Sequence, residues 1–200
     1  MIARLELLIQ SGNMTEDLGR LFKSHLDRQS RSLTRLPPVK QWTTQLCGDI
    51  DIVINRQGTW LHEGVEIKRS SLVKFFSSLL LKDETDYFLI TPEEKWRIKV
   101  ELAPFLITRA NRTCKRGHQI ITLSTDTDEL IVMSNDHPLW IEYEEGSDEP
   151  IPLVLVRDGM TGLLNRNVFY ELVSWGLPKG IPSRLVINSM GIEFDLGFVE

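Results

Sequence analysis

The chain has 200 residues, 42% of them hydrophobic and 26% charged, with 28 Asp and Glu against 23 Lys and Arg for a net charge of −5. That length suffices for one large domain or two small ones, and the composition is that of an ordinary soluble globular protein. The acidic balance argues against a whole-protein nucleic-acid binder, which is usually basic, and no apolar run reaches the length a membrane-spanning helix needs.

The first segment, Met1 to Met14, has a short apolar patch, Leu7-Leu8-Ile9. Glu6 interrupts its approach and no small-residue cleavage site follows, so it makes a poor signal peptide and the chain is expected to be cytoplasmic. Either Met1 or Met14 can serve as the start. Residues 15–29 read as a helix: Thr15 caps it, Glu16 and Asp17 suit its positive end, and Leu18, Leu21, Phe22 and Leu26 form an apolar stripe. Arg28, Arg31, Arg35 and Lys40 follow with no acid between Asp27 and Asp49. Leu36-Pro37-Pro38-Val39 ends helical structure, because proline lacks an amide hydrogen and restricts the residue before it. Residues 1–36 are therefore a helical basic leader and linker.

Residues 50–63 predict a β-hairpin. Ile50, Ile52 and Ile54 alternate with Asp51, Val53 and Asn55, Arg56-Gln57-Gly58 turns, and Thr59-Trp60-Leu61-His62 returns. Gly64 allows a bend before Val65–Ile67. An amphipathic helix is predicted over Ser70–Leu81, capped by Ser70 or Ser71, with Leu72, Phe75, Phe76, Leu79 and Leu80 on one face. A strand pair, Tyr87–Thr91 and Trp96–Val100, closes through Thr91-Pro92-Glu93-Glu94-Lys95.

Further strands are predicted at Phe105–Ala110, Gln119–Ser124, Glu129–Ser134, Leu139–Tyr143 and Leu153–Val156, separated by Asn, Gly and Asp-rich loops. A second helix, about Gly162 to Trp175, carries Leu164, Val168, Leu172 and Trp175 and stops at Gly176 and Pro178. A last hairpin, Leu185–Asn188 with Ile192–Leu196, turns at Ser189-Met190-Gly191.

One order of elements occurs twice: an extended run ending in arginine (Ile67-Lys68-Arg69; Val154-Leu155-Val156-Arg157), a helix, then a strand pair. The spacing is loose, and strand–helix–hairpin order also recurs by chance in α+β proteins. Read as a duplication, it predicts an α+β fold of two related half-domains, 37–103 and 104–200. Each is a curved antiparallel sheet with one packed helix, and a shared groove is the natural ligand site.

Cys47-Gly48-Asp49-Ile50-Asp51, Gly58-Thr59-Trp60, Ile67-Lys68-Arg69, Thr91-Pro92-Glu93-Glu94-Lys95, Ala103-Pro104-Phe105, Asp136-His137-Pro138-Leu139 and Leu163-Leu164-Asn165-Arg166 stand in this order. The series resembles a bacterial domain-of-unknown-function family, number 1285, from about Leu36 to Leu196. The resemblance implies a duplicated α+β core and a C-terminal half superficially like a pleckstrin-homology fold. It also implies a nucleotide-like ligand at the domain interface and a signalling role. The chain departs from the family in having Lys68-Arg69-Ser70-Ser71 where glycine, a further basic residue and proline are common.

Arg69 and Arg157 sit at strand ends before helices. There a guanidinium can bind phosphate bidentately beside helix-start amides, or it can simply tie strand to helix as an ion pair. Arg166, in the first turn of the second helix, is electrostatically misplaced unless an anion or an acid offsets it. Asn165 and Lys95 are candidate polar supports. Trp60 and Trp140 can stack on a base, although large aromatics on strands are more often core.

Asp49/Asp51 and Asp126/Asp128 have spacing that can hold a divalent ion, but amphipathic strands produce the same pattern and nothing completes either site. The four histidines form no ligand pair; His137, before a proline, orders a turn. Cys47 and Cys114 have no metal spacing and suit a reduced intracellular protein, with a bridge between them left open. No nucleophile elbow, Walker loop or dinucleotide glycine pattern occurs. Nine acids and no Lys or Arg lie between Gly117 and Val156, and Glu144–Glu149 read as solubilising charge.

The expectation is a non-enzymatic ligand-binding protein in intracellular signal transduction, without cofactor, metal, DNA, RNA or membrane. It would hold a small anionic, nucleotide-like ligand between its halves through Arg69, Lys95, Arg157, Asn165 and Arg166, and signal to a protein partner. The alternatives are a protein-interaction module or an Asp-x-Asp metal-dependent hydrolase or transferase.

Overall fold

The computed structural model of the protein describes residues 36–115 and 117–198. The helix expected over 15–29 and the arginines at 28, 31 and 35 lie outside them. Past Pro37-Pro38, a single 3-10 turn, Val39–Gln41, buries Val39. The chain then divides into two compact units. The first runs to Val53 and resumes from Thr59 to Lys99; the second comprises Ile54–Gly58 and everything from Val100 onward.

The first unit is built on one six-stranded sheet of β1 (Leu46–Ile54), β2 (Trp60–His62), β3 (Val65–Glu66), β4 (Leu80–Asp83), β5 (Asp86–Ile90) and β6 (Lys95–Val100), of which only the end residues Ile54 and Val100 fall in the second unit. The sheet order is β3-β2-β1-β6-β5-β4. Helix α1 (Ser70–Ser78) follows β3. Its face of Leu72, Phe75 and Phe76 is buried, and Phe76 stacks on buried Trp60 with ring centroids 6.1 Å apart and planes at 20°. Full burial of each such side chain contributes roughly 1.5–3 kcal/mol. The helix is shorter than the apolar run Leu79–Leu81 suggests. Leu79 caps it at ψ 1°, and the next residue enters β4, where Leu80 pairs with Leu89 and Leu81 with Phe88.

The second unit holds a six-stranded sheet in the order β10-β11-β12-β7-β8-β9 and a separate three-stranded sheet, β13-β14-β15. The strands are β7 (Phe105–Lys115), β8 (His118–Thr125), β9 (Leu130–Val132), β10 (Leu139–Tyr143), β11 (Pro150–Arg157), β12 (Met160–Leu164), β13 (Leu177–Lys179), β14 (Arg184–Ser189) and β15 (Ile192–Phe198). Helix α2 (Arg166–Trp175) lies between β12 and β13 and buries Val168, Phe169 and Leu172.

The helix expected from Gly162 starts later because Gly162–Leu164 belong to β12. Asp158 and Gly159, with φ of 53° and 75°, make the two-residue turn that folds β12 back on β11. Two successive positive φ values match the twist of a hairpin, and Asp-Gly tolerates them. β12 then runs parallel to β7, with Gly162, Leu163 and Leu164 opposite Phe105, Leu106 and Ile107, so the sheet is mostly rather than wholly antiparallel.

The repeated order is present in fuller form than two-stranded hairpins. Each unit has an antiparallel strand pair (β2–β3; β11–β12), a helix, and three successive antiparallel strands (β4–β6; β13–β15). In the first unit the three strands join the main sheet; in the second they form their own. The protein is thus a two-domain α+β fold. Among the described residues no helix is long and apolar enough to cross a membrane.

Candidate functional site

The end of β12 delivers the chain to α2 through one residue, Asn165. Its backbone N–H donates to Ile107 O at 3.1 Å, tying the helix start to β7. Its Oδ1 accepts from Val168 N at 2.8 Å. An N-cap asparagine satisfies one of the orphan donors at a helix start, which is why this residue type ends the strand and opens the helix. Asn165 and Arg166 border an open cavity of about 780 Å³, contained within the second unit. That volume lies in the range of small-molecule sites.

Leu102, Leu106, Leu163 and Phe169 give the cavity apolar walls, and Tyr170 stands beside it, 62% exposed. Its charged rim comes from two turns. The Asn55–Gly58 turn is closed by Gly58 N to Asn55 O at 3.0 Å and by Gln57 N to Asn55 Oδ1 at 3.0 Å. Arg56, in that turn, donates from its backbone N to Glu101 Oε2 at 3.2 Å and pairs through its guanidinium with Glu144. The second turn joins β10 to β11. Ser147 N donates to Glu144 O at 3.0 Å, Gly146 adopts φ 78°, and Glu149 N donates to Ser147 Oγ at 3.1 Å. Glu149 in turn pairs with Arg166.

The cavity is therefore ringed by two arginines, each held by a carboxylate of the same loop. All four side chains are well exposed, from 44% for Arg56 to 76% for Arg166. The apparent misplacement of Arg166 at a helix start is offset by Glu149.

Of the five residues expected at the site, Asn165 and Arg166 meet at this cavity. Arg157 is not on its walls. Nε of Arg157 donates to Glu129 Oε1 and Oε2 at 3.2 and 3.0 Å, Asp158 Oδ2 lies 3.8 Å from its Nη1, and the guanidinium sits 5.1 Å from the Phe105 ring centroid. Arg69 and Lys95 belong to the first unit. Arg69 is the residue before α1, and its Nε donates to Ser71 Oγ at 3.1 Å. Lys95 opens β6, with Nζ 3.6 Å from Asp83 Oδ2 and 4.0 Å from the Phe88 ring centroid.

Trp60 is buried in the core, and Trp140 is half-buried with Nε1 donating to Glu142 Oε1 at 2.7 Å. His137 donates from Nδ1 to Leu155 O at 3.0 Å, which orders its turn. Asp49 lies 3.7 Å from Arg97 Nη1. Among the described residues, no three His, Cys, Asp or Glu side chains gather as metal ligands would. Cys47 and Cys114 are both free thiols.

Arg56, Glu144 and Glu149 are the site residues that sequence patterns miss. The available signal was the acidic insert itself: Glu144 and Glu149 close around arginines that are distant in the chain.

Residues 37–103 match a family model described as domain of unknown function (DUF1285), N-terminal domain. Residues 104–196 match the model described as protein of unknown function (DUF1285), C-terminal domain. A solved DUF1285 family protein from Silicibacter pomeroyi DSS-3 has a TM-score of 0.77 and 32% identity, covering 87% of this chain and 95% of that one. Another, from Shewanella baltica OS155, has a TM-score of 0.50 and 28% identity, covering 62% of this chain and 91% of that one. No curated protein matches the chain.

Proposed function

The chain belongs to the DUF1285 family, and from that starting point we propose that it is a non-enzymatic binding protein that takes an anionic, nucleotide-like ligand in the cavity beside α2. The observation that carries this reading is the pairing of Arg56 and Arg166 around apolar walls at a helix start. Arginine presents a planar fork that matches phosphate oxygens, and a helix start favours negative charge. An exposed ion pair is worth only about 0–1 kcal/mol, so exchanging a carboxylate for a phosphate is cheap. Exposed Tyr170 and the apolar walls suit a base or similar planar body.

Ligand capture in this reading is a signal. A bound anion changes the partners of Arg56 and Arg166, reshapes the β10–β11 loop, and so alters a surface that an intracellular protein partner reads.

A thermal-shift screen of purified full-length protein with ADP, GDP, cyclic nucleotides and pyrophosphate tests the reading. A true ligand at a hundredfold excess over its Kd stabilises the fold by about 2.7 kcal/mol. The shift is expected to disappear in Arg56→Ala and Arg166→Ala. A screen without a hit, or a hit indifferent to both substitutions, overturns it.

A further inference from the structure

The carboxylates that hold Arg56 and Arg166 both come from one short loop, between β10 and β11. We infer that this loop is an internal competitor for the cavity: Glu144 and Glu149 occupy the two guanidinium groups until a ligand's anionic groups displace them. The inference rests on the binding reading above and adds its regulation.

The loop is shaped for the purpose. The Glu144–Ser147 turn and the Ser147 Oγ to Glu149 N bond fix the spacing of the two glutamates. Arg56 enters from the Asn55–Gly58 turn and Arg166 from the first residue of α2, so the loop bridges two elements far apart in sequence. Glu145 and Asp148 lie in the same loop and are exposed, yet neither is one of the carboxylates held by these arginines. Charge alone therefore does not define the arrangement; position does.

Two consequences follow for the ligand. It must present at least two anionic groups to release both arginines, since a single one leaves the other pair closed. Its affinity is also lowered by the cost of opening both pairs. Two exposed pairs, at about 0.2–1 kcal/mol each, correspond to roughly a 2- to 30-fold weakening.

The test measures ADP binding by calorimetry to full-length wild type, Glu144→Gln/Glu149→Gln, and Glu145→Gln/Asp148→Asn. The last variant removes the same charge from the same loop without touching the arginine pairs. Glu144→Gln/Glu149→Gln is expected to bind about 2- to 30-fold tighter than wild type, and Glu145→Gln/Asp148→Asn to stay near wild type. Binding confined to the Glu144→Gln/Glu149→Gln protein equally supports the inference. Equal tightening in both variants, or none in either, overturns the competitor and leaves the binding reading intact. ADP binding to none of the three overturns both. As a second readout, amide exchange across 144–149 is expected to quicken when ADP binds wild type; unchanged exchange alongside arginine-dependent binding counts against the competitor alone.

Discussion

Arg157 grips Glu129 through Nε, which donates to both carboxylate oxygens at 3.2 and 3.0 Å, while its guanidinium lies over Phe105. The two side chains are only 12% and 19% exposed. An arginine at a strand end thus serves here to join β11 to the segment before β9. Removing one member of a largely buried pair strands the other without its counter-charge, at about 3–5 kcal/mol when burial is complete. Arg157→Ala should therefore destabilise the fold by somewhat less, about 2–3 kcal/mol, in urea denaturation. Arg157→Met, which keeps the stem over Phe105, should lose less. A wild-type midpoint in Arg157→Ala would refute this account.

Asp126 gives a pH signature. Burial pushes its carboxyl above the ordinary value of 3.8 and Glu129 adds to the rise, while the backbone N–H groups of Leu106, Asp126 and Thr127 oppose it. The fold therefore holds this proton more tightly than the unfolded chain does. Its stabilising effect is complete below the unfolded value and is lost as pH climbs through the folded value. Asp126→Asn keeps an oxygen acceptor for Leu106 N, 3.2 Å away in wild type, but does not titrate. Relative to Asp126→Asn, wild type should lose stability as pH rises above 3.8 and then level off. Urea midpoints across a pH series check this; a wild type that gains stability relative to Asp126→Asn as pH rises has the wrong sign.

Gly58 closes the turn that carries Arg56. Its φ is 79°, and a Cβ there would stand 2.9 Å from Leu106 Cβ, an atom with no freedom to swing aside. Gly58→Ala combines backbone strain with overpacking, and its expected cost is about 1–3 kcal/mol. Because the same turn aims Arg56, the variant should also weaken any arginine-dependent thermal shift. Unchanged stability would mean that the turn relaxes freely.

Most elements were legible because their patterns are local. The alternating isoleucines of β1, the α1 stripe and the Gly176 stop of α2 need only neighbours in sequence. Two boundaries were not. Leu79–Leu81 continue the apolar stripe of α1, and only the cross-strand partners Leu89 and Phe88 place Leu80 and Leu81 in β4. Leu163-Leu164 read equally as helix or strand, and their parallel pairing with β7 is a long-range fact. Asp158-Gly159 was the local clue to that hairpin. At the site, Asn165 and Arg166 announced themselves through helix-end chemistry. Arg56 did not, since a turn arginine is ordinary until Glu144 meets it from 88 residues away.

The second unit is discontinuous: it includes Ile54–Gly58 as well as the chain from Val100. A gene fragment beginning at Pro104 would encode a protein missing both the Arg56 turn and Leu102, leaving one wall of the cavity unbuilt and hydrocarbon open to water. Cutting this chain where its two family models meet would thus produce a sticky half with an incomplete cavity, and any dissection should carry residues 54–58 along.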